Sequence, residues 1–593
     1  MAEFKKIVIT KKGQALMAKM IAGQGNIDFT KVAASETAYT DAQLEGLTSL
    51  SGVKQTTLVS KVTRTNGVAI QVEAAMTNTD LKTGYYMKTL GLYAIDPDEG
   101  EILYGVSNAT VPGWMPPYNG LTVSGAFFKL VTTVGNAENV SLNVDPGAVA
   151  TIGDIQDLQE QIADLQAYVG YTDGDIYGVE ADFINKKFTR LAGAVNRTPG
   201  AGFDGINAFG GRRRCNLADD GTVVAYYGEA GYSETGKLTQ AVVVGEGDTA
   251  RTFNAGTIVQ VMVEQPKFYY KVVPLDLEPV EGGKGFHMRK GRWYVSDTKK
   301  NGFKLHPAFI SNGVEKNFIY IAAYEGSLWD ASAAQYILND AQVADFAADM
   351  LSSIANAKPI SGLTQNLTRG NTRKLAQKRG AGWQQGYGQT AAVTQLLFLV
   401  EYASFNMQDK IGAGATKKTD DGATSMTEIT GATSNLGNAT GSVNNPNGVN
   451  IVTYRGEENF YGNIWWFIDG MNINAKGIHE LYVTDHDFAD DKIVDNYKNA
   501  GITLAKTSGY VSAFGYNEEY DWLFVTSETK GNSSLPVGDY FWQNNTYNGI
   551  MIALLGARWD GGGNAGGFYW YVNSVSGYRY RSIGGRLVYV PQN

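Results

Sequence analysis

Side chains that commonly perform catalysis or bind metals are few in this sequence. None of the four histidines (His287, His306, His479 and His486) lies in a His-Glu-x-x-His zinc motif or beside a nucleophile-elbow serine. The single cysteine, Cys215, excludes a disulfide scaffold and any metal site built from several cysteines. We therefore predict that the chain is not an enzyme and uses no cofactor.

One acidic segment, VTDHDFADD, places Asp485, Asp487, Asp490 and Asp491 around His486. A Ca²⁺ loop is one interpretation of so many carboxylates. The spacing of an EF-hand loop and its central glycine are absent. We therefore predict a solvated acidic loop and no bound metal.

The C-terminal segment Gly556–Tyr589 combines many aromatic residues with glycine, serine, asparagine and arginine, and its one acid is Asp560. Four aromatic residues stand in a row at Phe568–Tyr571, and a two-sided strand cannot bury all four on one face. Binding surfaces use this composition, because tyrosine supplies a large amphipathic contact with few torsions to freeze. The alternative is an ordinary aromatic core strand.

The overall charge limits the classes of partner. The chain has 50 basic and 59 acidic residues, a net charge of −9, which argues against a nucleic-acid groove. The basic triplet Arg212–Arg214 is therefore expected to be a solvated or ion-paired edge.

The N-terminus lacks an apolar stretch of signal-peptide length, and the run Leu396–Val400 is too short to span a bilayer. We expect synthesis in a cytoplasm and no membrane insertion.

At 593 residues the chain is longer than a single hydrophobic core usually supports, so several folded units must position these residues. Residues 1–147 read as an α+β unit with mostly antiparallel strands. Its spacing predicts a helix over Lys11–Ile21. Asp96–Gly100 predicts a hairpin turn between the apolar runs Leu90–Ile95 and Ile102–Val106.

A short coiled coil is predicted within residues 148–170. Five apolar residues follow a spacing of 3, 4, 3 and 4, which is a heptad seam: Ile155, Leu158, Ile162, Leu165 and Val169. We predict that this seam joins copies of the chain. The alternative is one amphipathic helix, because only two heptads are present.

The remaining chain divides by composition into two parts. Residues 171–255 are polar and glycine-rich and predict a β-rich connector, whereas residues 256–593 predict one long mixed domain. In this domain we expect helices over Ala341–Ile354 and Ala391–Phe405, and a long loop over residues 412–450.

The first unit resembles the N-terminal domain of phage tail-collar fibre proteins, which attaches a fibre to the tail. The resemblance covers about 147 residues and is carried by Ile7–Gly13, Ile27–Val32, Gly84–Tyr86, Gly91–Ala94, Glu101–Tyr104 and Val134–Ala137. It implies docking on phage tail or baseplate proteins.

The last part of the chain resembles the C-type-lectin fold shared by formylglycine-generating enzymes and by variable proteins of diversity-generating retroelements. The matching segments are Thr394–Phe405, Asn459–Phe467, Arg558–Trp559 and Ile583–Val588. The enzymatic branch depends on a C-terminal cysteine pair, which this chain lacks. The resemblance therefore implies the non-enzymatic branch.

In that branch a reverse transcriptase rewrites adenines in a C-terminal repeat, mainly in asparagine codons. Such changes cannot produce Trp, Lys, Glu, Gln or Met, and Gly556–Tyr589 contains none of these except Trp559 and Trp570. The resemblance thus implies that these two tryptophans are framework, as are Asn463 and Trp465. It implies receptor contacts at Asp560, Asn564, Phe568, Tyr569, Tyr571, Asn573, Tyr578, Arg579, Tyr580 and Arg581.

These features predict an α+β multidomain chain: an antiparallel-rich attachment domain, a short coiled coil, a β-rich connector and a C-type-lectin fold. The expected protein is a phage or prophage tail-fibre receptor-binding protein in the virion tail, made in the bacterial cytoplasm. Related fibres imply a trimer, and the partner is a bacterial surface receptor, either protein or glycan. The alternatives are a tailspike-like glycan depolymerase and a non-adhesive baseplate connector.

Overall fold

A computed structural model describes residues 3–23, 27–64, 69–118, 124–133, 140–141, 170–340, 344–544 and 546–592. The chain divides into two compact units, Met1–Asp164 and Leu165–Asn593. The described part is β-rich, and no described helix is long and apolar enough to cross a membrane. The predicted coiled-coil residues Ile155, Leu158, Ile162, Leu165 and Val169 lie outside the described residues.

The described part of the first unit contains two sheets and two helices. Its described strands pair antiparallel, except that Val140–Ser141 lies parallel to Ile27–Ser35. The larger sheet has seven strands: Glu3–Phe4, Val8–Ile9, Ile27–Ser35, Val53–Leu58, Tyr85–Asp96, Gly100–Met115 and Val140–Ser141. The smaller sheet has three: Lys61–Arg64, Ala69–Thr77 and Gly125–Thr133. The helices are Lys11–Ile21 and Asp41–Leu44.

The helix and the hairpin predicted in this unit are confirmed. The Thr10 hydroxyl accepts the Gly13 amide hydrogen bond at 3.1 Å and so caps the helix. The Asp96 carboxylate accepts the backbone N–H groups of Asp98 and Glu99 in the hairpin turn, and Gly100 adopts a φ of +78°. Local side-chain chemistry therefore fixes both elements.

Three large sheets are present among the described residues of the second unit. The first has seven strands: Tyr177–Asp182, Lys187–Ala192, Tyr269–Pro279, Phe286–Ser296, Lys304–Leu305, Ala513–Tyr516 and Thr526–Glu528. The second has six: Arg213–Leu217, Val223–Tyr226, Gln260–Pro266, Phe318–Ala322, Trp383–Gln385 and Leu587–Tyr589. The third has eight: Trp465–Asn474, Glu480–Val483, Lys498–Thr503, Gly509–Tyr510, Tyr540–Gln543, Ile550–Gly556, Gly566–Ser574 and Ile583–Gly584.

Smaller elements complete the second unit. Short strands form four further sheets: Val242–Val244 with Arg251–Phe253; Ile310–Ser311 with Val314–Glu315; Ser327–Asp330 with Gln335–Ile337 and Met350–Ser352; and Gly441–Asn444 with Asn450–Tyr454 and Glu457–Glu458. The α-helices are Asn207–Gly210, Arg369–Gln377, Gly388–Tyr402 and Met407–Lys410. The 3₁₀ turns are Asp173–Asp175, Gly247–Thr249, Pro307–Phe309, Ser434–Leu436 and Gly562–Asn564.

The helix Gly388–Tyr402 lies at the centre of the main core. Its residues are buried on every face except at Tyr402, as expected of a helix that is apolar all round. It ends where Ala403 adopts a left-handed φ of +49°. The helix predicted over Ala391–Phe405 is therefore present, although it starts and ends three residues earlier.

The boundary predicted between residues 255 and 256 is wrong. Strand Tyr177–Asp182 pairs with Phe286–Ser296, and strand Arg213–Leu217 pairs with Gln260–Pro266. The predicted connector thus supplies strands to the same sheets as the C-terminal part. The change in composition at this point therefore does not mark the start of a new core.

The helix predicted over residues 341–354 is also wrong. Its described part contains a turn in which Asp349 accepts the Asp345 N–H at 2.7 Å, followed by strand Met350–Ser352. That strand pairs with Ser327–Asp330. Long-range pairing has therefore overridden a local helical pattern.

Of the two alternatives predicted for the arginine triplet, ion pairing is confirmed, whereas a solvated edge is wrong for Arg212 and Arg214. Arg212 and Arg214 are fully buried, with Arg212 paired to Glu457 and Arg214 to Glu234 at 3.2 Å. Arg213, on the other face of the strand, remains partly exposed. Strand alternation sends two of the three cations into the interior, where each has an acidic partner.

Candidate binding groove

The strand Gly566–Ser574 separates its side chains onto two faces of the eight-stranded sheet. Phe568, Trp570 and Val572 are buried in the main core. Tyr569 and Tyr571 belong to a separate cluster on the opposite face. The period of two residues in a strand thus explains how four consecutive aromatic residues are accommodated.

Phe568 was predicted to contact a receptor, and the structure contradicts this. The side chain is fully buried, and its ring lies 5.2 Å from that of Phe405 and 5.5 Å from that of Phe524. These edge contacts are typical of an aromatic core. Phe568 holds the strand on the core and has no surface to offer.

The opposite face of the sheet opens into a groove of about 350 Å³, called here the aromatic groove. Seven of the ten predicted contact residues line it: Asp560, Asn564, Tyr569, Tyr571, Asn573, Tyr578 and Tyr580. The other lining residues are Trp465, Trp542, Leu554, Arg558, Gly561, Ser582 and Ile583.

Tyrosine and tryptophan rings form the floor and one wall of the aromatic groove. The Trp465 ring lies 4.7 Å from Tyr569 and 5.4 Å from Tyr571. Burial raises the pKa of the Tyr569 hydroxyl. Trp542 lies beside Tyr571 in parallel strand pairing and is 42% exposed. A tryptophan this exposed inside a groove offers a large contact surface.

The second wall comes from the turn that follows the strand. The rings of Tyr578 and Tyr580 are nearly parallel, with an angle of 11° and a centroid distance of 6.3 Å. They are 39% and 38% exposed. The Tyr580 carbonyl accepts the Gly362 N–H at 2.9 Å, which ties this turn to the protein body. Both rings are therefore held in place while much of their surface remains open.

The charged residues that line the groove pair with each other. Arg558 Nε and Nη2 lie 2.6 Å and 3.0 Å from the two carboxylate oxygens of Asp560. This bidentate geometry is the strongest arrangement of an arginine with a carboxylate. Asp560, predicted as a receptor contact, thus has an intramolecular partner.

Arg581, also predicted as a contact, is a buried structural residue. Its Nη2 donates to both carboxylate oxygens of Asp420, at 2.5 Å and 2.6 Å, and its Nη1 donates to the Thr424 carbonyl at 2.6 Å. The hydrogen bond from Arg581 lowers the pKa of Asp420. Arg581 therefore fastens the loop around residues 420–424 beside the groove, and little of it can reach a ligand.

Arg579 does not line the groove. Its side chain is exposed, and Nη1 donates to the Gln365 carbonyl at 2.8 Å. It lines a neighbouring shallow depression with Gly422 and Ala423, and Tyr580 lines both this depression and the groove. Of the ten predicted contacts, Phe568, Arg579 and Arg581 thus lie outside the groove.

The backbone of the groove strand is held by side chains outside Gly556–Tyr589. Gln395 donates to the Gly567 carbonyl at 2.7 Å, and Asp539 accepts the Phe568 N–H at 2.7 Å. Burial raises the pKa of Asp539. Gln408 donates to the carbonyls of Gly562 and Ala565. These hydrogen bonds hold the strand through its backbone and do not involve the groove side chains.

Three of the four predicted framework residues have no lining position in the groove. Trp559 is fully buried, Trp570 donates to the Phe524 carbonyl at 2.7 Å, and Asn463 donates to Glu325 at 2.7 Å. Trp465 is also largely buried, yet one side of it lines the groove. Sequence reasoning missed Trp542 and Arg558, and only the exposure of Trp542 in the fold identifies it.

The acidic segment around His486 is exposed at Asp487 and Asp491, as predicted, but Asp490 is ion-paired. Asp490 accepts hydrogen bonds from Arg369 at 3.1 Å and from Arg373 at 2.8 Å, and Asp491 accepts from Ser576. These partners lower the pKa of Asp490 despite its burial. Within the described ranges, no group of histidine, cysteine and acidic side chains could hold a metal ion.

The sequence matches no protein-family model and no curated protein sequence.

Proposed function

We propose that this chain is a phage or prophage tail-fibre receptor-binding protein whose aromatic groove contacts a receptor on the bacterial surface. The supporting observation is that seven residues expected to contact a receptor line one groove. The exposed side chains of Trp542, Tyr578 and Tyr580 supply contact area in this groove. Tyrosine-rich surfaces bind with little loss of side-chain entropy.

The tail attachment and the oligomer belong to the same proposal. The first unit docks on tail or baseplate proteins, and residues 148–170 join the copies as a trimer. Repetition of a weak site raises the effective concentration of the second and third contacts, so avidity exceeds single-site affinity. The second unit adopts a C-type-lectin-like fold with a diversified segment, Gly556–Tyr589.

Adhesion is favoured over glycan hydrolysis by the charges in the groove. Glycosidases generally use two carboxylic acids that flank the scissile bond. Among the described lining residues, Asp560 is the one acid, and Arg558 occupies both of its oxygens. The groove therefore lacks the pair of free carboxyl groups that hydrolysis requires.

The test is adsorption of particles that carry the triple substitution Tyr571→Ala, Tyr578→Ala and Tyr580→Ala. We expect adsorption to host cells to fall by at least about tenfold, because the loss of several aromatic contacts costs more than about 1.4 kcal/mol. Adsorption is measured as the fraction of particles left free after mixing with host cells.

The matched control is Tyr227→Ala, which removes a comparably exposed tyrosine that does not line the groove. This variant should adsorb as the unmodified particle does. The thermal unfolding transition of each protein checks that the fold is intact. A folded triple variant with normal adsorption would show that the aromatic groove is not the receptor site.

A further inference from the structure

The chemistry of the aromatic groove restricts the charge of its ligand. Arg558 and Asp560 are the charged residues that line the described groove, and each satisfies the other. A charged ligand would have to compete with this bidentate pair, which is costly for partly desolvated ions. The groove is thus suited to a neutral ligand.

The groove also offers hydrogen-bonding groups beside its aromatic rings. The Asn564 carbonyl accepts from Tyr510 at 2.7 Å, and the Asn573 amide nitrogen donates to Tyr571 at 3.2 Å. Among the described residues, the Asn564 amide nitrogen and the Asn573 amide oxygen have no hydrogen-bond partner, so both atoms are available to a ligand. Such atoms beside aromatic surfaces fix the orientation of a ligand that has both apolar and polar sides.

A bound peptide strand does not fit these features. The groove strand Gly566–Ser574 already pairs with Ile550–Gly556 on one side and with Tyr540–Gln543 on the other. No free strand edge lies along its centre to accept the backbone of an added strand. The groove must instead recognise a ligand through contacts of its side chains with the apolar faces and polar edges of that ligand.

We propose that the aromatic groove binds a neutral sugar unit of a surface polysaccharide. This inference rests on the proposed function. One face of a sugar ring is lined by C–H groups and packs on aromatic rings such as Trp542 and Tyr578. Its equatorial hydroxyls lie at the ring edge, where Asn564 and Asn573 can exchange hydrogen bonds with them. A groove of about 350 Å³ is at the small end of the range for ligand pockets and suits one or two sugar units.

The experiment measures binding of the full-length protein to host cells after two treatments. Periodate cleaves vicinal diols and destroys sugar rings, whereas proteinase K removes surface proteins. We expect periodate to reduce binding by at least about tenfold and proteinase K to change it by less than about twofold. Loss of binding after proteinase K but not after periodate would overturn the sugar assignment and leave the proposed function standing.

A salt series separates neutral from charged sugars. Binding to a neutral sugar should change little between about 0.05 M and about 0.5 M NaCl, because no ion pair is screened. A steep loss of binding over this range would overturn the neutral assignment.

Variants of Trp542 assign the effect to the groove. Trp542→Ala should lose binding to untreated cells, and Trp542→Phe should retain most of it because an aromatic face is preserved. If both this alanine variant and the triple tyrosine variant are folded and bind normally, the proposed function itself fails.

Discussion

Glu325 is a buried acid with an incomplete set of partners. Asn463 and Asn459 donate to one carboxylate oxygen at 2.7 Å and 3.2 Å, and the other oxygen has no hydrogen-bond partner among the described residues. Burial raises the pKa of Glu325 to about 8. The folded protein therefore holds this side chain in its neutral form at neutral pH.

This predicts a loss of stability as the pH rises from about 6.5 to about 8. In this window the folded state keeps a proton on Glu325 that the unfolded state has released, so the free energy of unfolding falls with pH. Glu325→Gln should reduce the fall by about 1–2 kcal/mol, because the amide resembles the neutral acid. Urea unfolding at several pH values, followed by tryptophan fluorescence, measures it.

The window lies above the pH range in which the two buried histidines, His306 and His479, contribute most. Burial lowers the pKa of His306 to about 3 and also lowers the pKa of His479, so their effect on stability falls mainly below the ordinary histidine pKa of about 6.5. Glu325→Gln protein that loses as much stability between pH 6.5 and 8 as the unmodified protein would contradict the assignment of a neutral Glu325.

Sequence alone identifies the aromatic segment as important but cannot assign its individual side chains. Phe568 and Tyr571 are both large and aromatic, and composition does not reveal which face of the strand meets the core. The burial of Arg581 is equally hard to predict from sequence, because a charged residue is expected at the surface unless its partner, here Asp420, is known. Trp542 was missed because it joins the groove through strand pairing.

At the scale of elements, the groove strand is positioned by polar side chains from other parts of the chain. Gln395, on the central helix, is buried and donates to the Gly567 carbonyl. This bond links the core helix to the start of the strand. Exchange of groove side chains on the opposite face leaves it intact.

We therefore expect Gln395→Ala to destabilise the protein by about 1–3 kcal/mol, because a buried carbonyl loses its partner. Tyr578→Ala, an exposed groove substitution, should change stability by less than about 0.5 kcal/mol. Gln377→Ala is the matched control, since Gln377 is an exposed helical glutamine. Denaturant midpoints compare the three variants, and equal stability of Gln395→Ala and Gln377→Ala would contradict the anchoring role.

Elements with local signals were predictable, and those with long-range partners were not. The hairpin turn at Asp96–Gly100 carries its own side-chain hydrogen bonds, so sequence predicts it well. Strand Met350–Ser352 depends on pairing with Ser327–Asp330, whereas its local sequence pattern predicts a helix. Sheet pairing of this kind is decided by distant residues, which a local pattern does not contain.

At the scale of the whole molecule, the second unit begins well before the composition changes. Residues Val179 and Phe183, from the predicted connector, belong to the same core as Trp570. Phe183 stacks on Phe405, with ring centroids 5.5 Å apart. The groove therefore rests on a core that includes the predicted connector.

This predicts how the chain tolerates truncation. A fragment spanning residues 170–593 should fold cooperatively and bind host cells, although with lower avidity than the full-length protein, because residues 148–170 are largely missing. A fragment spanning residues 256–593 should fail to fold, because it lacks strands Tyr177–Asp182 and Arg213–Leu217 and exposes the apolar surfaces they cover. Thermal unfolding and proteolysis of both fragments test this.

Both fragments contain every groove residue, so a difference in folding between them reports on the shared core. A shorter fragment that folds and binds host cells would instead support the predicted domain boundary at residue 256.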